Sequence, residues 1–357
     1  MINVTRTFFP PLEEYILLLK KIWENEWITN NGQMVVDLEK VLREYTGADK
    51  LFFASNGTIV LQMAIKALKL SGEIITTPFS YVATVNSILW EGCKPKFVDI
   101  KTDNFCINEN LIEAAITKKT TAILATHVFG IPCNINAIES IATKHNLKVI
   151  YDAAHSFGCL LNGKSLLNYG DVSTCSFHAT KVFHTAEGGC IITNNDNIAK
   201  EIRYMRQFGH VYDDYYNVGI NGKNSELHAA LGLVNINYVS SIISNRKFIF
   251  ERYHQSLAIY FKTINIEIPG FLYNYAYYPI LFKTEDQLID FENKLLENEI
   301  RGRRYFYPSL NLLPFLSEKQ SCPVSEDISS RIYCLPVFYG MEFETIDKII
   351  EIAKMYK

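Results

Sequence analysis

The chain has 357 residues, 48% of them apolar and 20% charged, with a formal net charge of −3. That composition supports a large globular core and, at this length, two domains. The absence of a basic block or long acidic tail argues against nucleic acid or an anionic membrane as a partner.

Eight cysteines are scattered with no C-x-x-C pair, which reads as reduced, buried thiols rather than a disulfide framework. The opening residues MINVTRTFFPPLEE lack the apolar core of a signal peptide, and no apolar run approaches the ~20 residues of a membrane helix. A cytoplasmic location is expected. No group of residues has zinc spacing, so no metal is expected.

After Pro10-Pro11, Leu12, Tyr15, Ile16, Leu19, Ile22 and Trp23 fall at helical spacing. A polar turn at Thr29–Gly32 precedes a second helix to about Tyr45. Short apolar runs then alternate with helical ones: Leu51–Ala54 before Thr58–Leu70, Glu73–Thr77 before Val82–Trp90, and Lys96–Asp99 before Asn110–Ile116. Next come Ala122–Thr126 before Ile135–His145, with Asn134 as a plausible N-cap, then Val149–Asp152, Val172–Phe177 and Cys190–Thr193.

This alternation predicts an α/β fold, a mostly parallel sheet covered on both faces, with ligands at the carboxyl ends of the strands. Ser55, Phe79, His127, Asp152 and Ser176 all fall at or just after such ends. From Glu226 a long helical stretch runs to about Tyr260. The expected division is a large domain, 1–244, and a smaller α+β domain, 245–357, closing with a helix over Thr345–Met355.

The segment STCSFHATKVFHTAEGG, Ser173–Gly189, breaks between two apolar runs into a polar loop holding His178, Thr180 and Lys181. A lysine placed between buried strands is costly unless it pairs with a carboxylate or binds a carbonyl covalently. Asn56-Gly57-Thr58 opens a helix whose amino end could bind a phosphate, or could simply be capped. Asp152, at a buried strand end, needs hydrogen-bond donors or a cation such as a protonated pyridine. Tyr81 could stack on a flat ring or belong to the core. Amine, carboxylate, aromatic face and phosphate site together match pyridoxal 5′-phosphate, which would act as an electron sink. Neither a dinucleotide fingerprint nor a nucleophile elbow is present.

In SNGT (Ser55–Thr58), TPFSYVAT (Thr77–Thr84), KPKFVDI (Lys94–Ile100), HVFGIPCNINAI (His127–Ile138), KVIYDAAHSFG (Lys148–Gly158), SFHATKVFHTAEGG (Ser176–Gly189), GINGKNSELHAALG (Gly219–Gly232) and LPVFYG (Leu335–Gly340), the chain resembles the DegT-like nucleotide-sugar aminotransferases of PLP fold type I. The resemblance implies a seven-stranded sheet, Lys181 as the residue bonded to the cofactor, Asp152 against its ring nitrogen and Tyr81 stacked on its ring. It also implies Gly57, Thr58 and Ser176 as phosphate ligands, and Asn221 reaching the cofactor of the neighbouring subunit in an obligate homodimer.

Three positions depart from the common pattern. His155 replaces a glutamine and should meet the cofactor's phenolic oxygen, Lys223 replaces an arginine, and His228 replaces a glutamine. His178, His184, Lys223 and Tyr307 are candidates for contact with substrate; for the two histidines, structural hydrogen bonding is the competing role. The lysine loop resembles the branch that aminates carbon 4 of a dTDP-4-keto-6-deoxyhexose. L-Glutamate is then the expected donor and dTDP-4-amino-4,6-dideoxyglucose, for surface glycans such as O-antigen, the expected product. The galacto epimer, or amination at carbon 3, is the alternative. A sugar dehydratase of this fold would carry histidine in place of Lys181. A non-catalytic sugar-nucleotide-binding regulator or scaffold should have lost Lys181 or Asp152.

Overall fold

A computed structural model describes residues 1–357. Two helices lead the chain, α1 (Leu12–Asn25) and α2 (Gln33–Thr46). The central sheet is built from β1 (Lys50–Ala54), β2 (Glu73–Thr76), β3 (Lys94–Phe97), β4 (Thr120–Thr126), β5 (Lys148–Asp152), β6 (Val172–Ser176) and β7 (Gly189–Thr193). Their spatial order is β1-β7-β6-β5-β4-β2-β3. Every pairing is parallel except those of β7, which runs antiparallel to both neighbours. The expected mostly parallel seven-stranded sheet is therefore present.

Between the strands lie α3 (Gly57–Ala67), α4 (Val82–Trp90), α5 (Ile135–His145) and, after β7, α6 (Asp196–Met205). Strands such as β4 and β5 are apolar on both faces because helices cover both, as the uninterrupted burial of Ala122 to Thr126 records. Asn134 caps α5 as expected, its Oδ1 accepting from the Ala137 N–H at 3.3 Å. The stretch expected to be helical over Asn110–Ile116 forms only a 3-10 turn and one α-turn, Ile112–Ala115.

The long helical stretch is two helices, α7 (Glu226–Asn235) and α8 (Val239–Leu257), joined through a 3-10 turn. By length and composition Glu226–Leu257 could cross a membrane, which the scan of apolar runs did not anticipate. Its packing is that of a core element. Arg246, buried in the middle of α8, donates from Nη1 to the carbonyls of Ala276 at 3.2 Å and Val337 at 2.8 Å.

α8 runs unbroken through position 244, where the two domains were expected to divide. Beyond it β8 (Tyr278–Leu281) and β9 (Ile332–Leu335) pair antiparallel, flanked by α9 (Glu285–Glu297), α10 (Pro323–Arg331) and α11 (Phe343–Lys354). The largest apolar cluster joins Ile123, Phe129 and Tyr151 of the first region to Tyr253, Phe291 and Ile349 of the second. This shared core fixes the carboxy-terminal region over the ends of the sheet strands. All eight cysteines are buried and unpaired.

Candidate active site

At the carboxyl ends of β1, β4, β5 and β6 lies a cavity of about 240 Å³. It is lined by Gly57, Thr58, Tyr81, Asp152, His155, Ser176, His178 and Lys181 among the residues singled out in the sequence. The strand-end rule for α/β sheets thus locates the site.

Lys181 sits in the tight loop between β6 and β7, its N–H donating to the His178 carbonyl at 2.9 Å. The amine makes no salt bridge; Asp152 and Tyr305 act on it only through space. Burial lowers its pKa, which those neighbours partly oppose, so the uncharged, nucleophilic amine is more accessible than in a free lysine. Of the two uses of a buried lysine, ion pairing is absent.

Asp152 ends β5. Its Oδ1 accepts from the Ala154 N–H at 3.2 Å and its Oδ2 from Thr84 Oγ1 at 2.8 Å. Burial raises its pKa while those two bonds and Lys181 hold it down. A desolvated carboxylate with only neutral hydrogen-bond donors is a receptive place for a ring N–H⁺.

His155 follows in the same loop. Its Nδ1 accepts from the Phe129 N–H at 3.2 Å, which leaves the hydrogen of the neutral ring on Nε2. Burial and nearby Lys181 depress its pKa well below the usual value, so it stays a neutral donor. The Phe306 ring lies parallel to it with centroids 5.7 Å apart.

The helix start at Gly57 is more fully capped than the sequence suggested. Asn56 Oδ1 caps α3 by accepting from the N–H groups of Thr58 at 3.0 Å and Ile59 at 2.8 Å. Those two donors are therefore occupied. The Gly57 N–H and the hydroxyls of Thr58 and Ser176, which line the cavity, remain as donors that could hold an anion at the helix amino end. A Cβ on Gly57 would stand 2.8 Å from Ser176 Cβ and 2.9 Å from its Oγ. Only glycine lets the helix start approach the end of β6 this closely. Tyr81, 53% exposed, presents its ring at the cavity. A flat, anionic, ring-nitrogen-bearing aldehyde such as pyridoxal 5′-phosphate fits this set of donors.

Five residues singled out in the sequence lie elsewhere. His184 is turned into the protein, its Nε2 2.7 Å from the Phe8 carbonyl and its own carbonyl bonded to Asn235. Tyr307 lies outside the cavity lining, under the Arg304 guanidinium at 3.6 Å. Asn221 is exposed, its Oδ1 accepting from Lys223 Nζ at 2.9 Å, and Lys223 also lies over the Phe208 ring. His228 is held by Ser225 at 2.7 Å. His178, by contrast, lines the cavity, with Nδ1 2.9 Å from Thr180 Oγ1.

The cavity also draws in Tyr277, Arg303, Tyr305 and Phe306 from the carboxy-terminal region, and Ser80 and Thr126 beneath Asp152. In the sequence the first four stand only in a tyrosine-rich run at 273–278 and an aromatic-basic segment, RRYFYP, at 303–308, neither of which points to a partner.

The profile of the DegT/DnrJ/EryC1/StrS aminotransferase family matches residues 12–354. A dTDP-4-amino-4,6-dideoxy-D-glucose transaminase of Shigella dysenteriae is 40% identical, covering 100% of this chain and 99% of its own length. An enzyme of the same name from Escherichia coli is 37% identical over 98% and 97%. The solved structure of DesI in the presence of its TDP-sugar product superposes with a TM-score of 0.92 at 26% identity, covering 98% of this chain and 91% of that one.

Proposed function

The chain belongs to the DegT/DnrJ/EryC1/StrS aminotransferase family, and from that premise we propose that it moves the amino group of L-glutamate to carbon 4 of a dTDP-4-keto-6-deoxyhexose, giving dTDP-4-amino-4,6-dideoxyglucose. The observation that carries the reading is the convergence of an unpaired lysine amine and a buried carboxylate in one strand-end cavity. The regiochemistry follows the two transaminases at 40% and 37% identity over nearly their whole lengths.

Pyridoxal 5′-phosphate is the cofactor of this chemistry; when bound, it supplies a conjugated ring that accepts the electron pair left at the substrate carbon. Lys181 Nζ would anchor it and, once free, carry the proton between substrate carbon and cofactor, first in one direction for the donor and then in the other for the sugar. Asp152 would hold the ring nitrogen protonated. His155, donating from Nε2, would hold the phenolic oxygen, while Gly57, Thr58 and Ser176 receive the phosphate. Tyr81 would cover one ring face. His178, beside Thr180 at the cavity wall, is the histidine suited to meet the sugar nucleotide. A scaffold protein would have no need to keep both the amine and the carboxylate.

The working unit we propose is a homodimer. Asn221 is exposed and bridges Gln207, and the segment from 208 to 221 also exposes Phe208, Tyr212 (90%) and Val218 (78%). Patches of that kind mark protein interfaces. Asn221 would complete the phosphate site of the other subunit. The sugar product would serve surface-glycan assembly.

The test is incubation of the enzyme with L-glutamate and dTDP-4-keto-6-deoxyglucose, followed by NMR assignment of the product. Large couplings from H-4 to both H-3 and H-5 are expected for an equatorial amine at carbon 4. Small couplings there would mean the galacto epimer, and an amine at carbon 3 would overturn the regiochemistry.

A further inference from the structure

Asp152 is held from beyond its own strand. Thr84, in the first turn of α4, gives its single hydroxyl hydrogen to Asp152 Oδ2 at 2.8 Å. Thr84 Oγ1 therefore has only lone pairs to offer Ser80 Oγ, 2.8 Å away, and Ser80 must be the donor in that contact. The same reasoning applies once more. Ser80 Oγ, its hydrogen spent, accepts from Thr126 Oγ1 at 3.1 Å. Thr126 ends β4 and lies opposite Asp152 in the parallel register, so the chain of hydroxyls leaves one strand end and returns to the next through the loop between β2 and α4.

All three hydroxyl residues are almost excluded from solvent, at 1% for Ser80 and Thr84 and 2% for Thr126. Water therefore does not compete for these bonds. In a buried chain each bond polarises the next, so hydrogens pointing one way deliver more stabilisation to the terminal anion than an isolated hydroxyl does. The other groups that set the field at Asp152 are the Lys181 amine above it and the Cys175 thiol of β6.

We infer that Thr126, Ser80 and Thr84 form a one-directional hydroxyl relay that positions Asp152 and keeps it ionised against the cofactor's ring nitrogen. Thr84 touches the carboxylate; Ser80 and Thr126 are positioning residues that act only through it. The inference rests on the proposed cofactor chemistry and adds to it a control on the protonation state of the cofactor. Reversing the relay requires Asp152 to be protonated, because only then could Thr84 accept from the carboxyl and pass its own hydrogen down the chain.

The experiment uses holoenzyme loaded with cofactor labelled with ¹⁵N in the ring, the ¹⁵N chemical shift reporting the protonated fraction and equilibrium dialysis the retention of cofactor. In Thr84→Val the shift is expected to move toward the unprotonated nitrogen and cofactor binding to weaken on the order of tenfold. Ser80→Ala and Thr126→Val should move the shift the same way by smaller steps, although neither residue touches Asp152. Thr84→Ser, which keeps the hydroxyl, should match the wild type and separates loss of the relay from damage to the fold. Wild-type shifts in both Ser80→Ala and Thr126→Val would overturn the relay. A wild-type enzyme that retains no cofactor would overturn the reading beneath it, and the relay with it.

Discussion

Histidine 127 shows how one buried side chain sets a pH dependence for the whole fold. Its ring is fully buried, stacked on Tyr151 with centroids 4.6 Å apart, and its Nδ1 accepts from the Cys133 N–H at 3.1 Å. Burial holds its pKa at about 3, against 6.5 for an unperturbed ring. Between those two values the unfolded chain binds a proton that the folded chain refuses, so stability falls as pH drops below about 6.5. Going from pH 7 to pH 5, this group alone should remove about 2 kcal/mol of unfolding free energy. In His127→Gln, which keeps an acceptor for Cys133, urea titrations at the two pH values should differ by about 2 kcal/mol less than in the wild type. An unchanged difference would mean that the ring is already protonated at pH 5. His155 and His184, also depressed by burial, act in the same direction and remain in that variant.

At the scale of elements, the exposed side of the sheet needs protection. β1 is an edge strand, and the outward N–H and C=O of Phe53 would otherwise be open to pairing with another chain. Both are taken by an ion pair between elements. Glu39 of α2 accepts from the Phe53 N–H at 2.8 Å, and Arg206, at the end of α6, donates to the Phe53 carbonyl at 2.5 Å while pairing with Glu39. Arg206 and Glu39 are mostly buried, at 6% and 14% exposure. A pair of this kind adds little net stability when intact, but removing one partner strands the other charge. Arg206→Met should cost about 3–5 kcal/mol in urea unfolding. A loss under about 1 kcal/mol would show that Glu39 finds solvent or another donor and that the edge does not depend on the pair.

For the whole molecule, the proposed sharing of sites across a dimer has a direct consequence. A subunit with Lys181→Ala still carries the Asn221 that its partner's site would use, and a subunit with Asn221→Ala still carries Lys181. Mixed dimers of the two variants should therefore contain one site with both residues intact. Unfolding and refolding the two variants together should yield more turnover of glutamate and sugar nucleotide than the sum of the two refolded separately. Activity equal to that sum would confine each site to one chain.

The amino-acid sequence by itself determined the layers and the residues that meet at the strand ends. Short uninterrupted apolar runs alternating with helical ones read as strands covered on both faces, so the α/β sheet and its strand ends were legible from residues close together in the chain. Asn134 as a cap, Lys181 in its loop and Asp152 at the end of β5 belong to the same local grammar. Tertiary structure decided what depends on distant partners. It set β7 antiparallel, extended one apolar core past position 244, and brought Tyr277, Arg303, Tyr305 and Phe306 over a cavity whose lysine lies about a hundred residues away. It also turned His184 inward to Phe8 and set the Ser80–Thr84–Thr126 chain beneath Asp152. Side chains alone do not announce such choices, because a hydroxyl or an imidazole has comparable affinity for many partners. Which one it meets is fixed only when the packed core closes and excludes water from the alternatives.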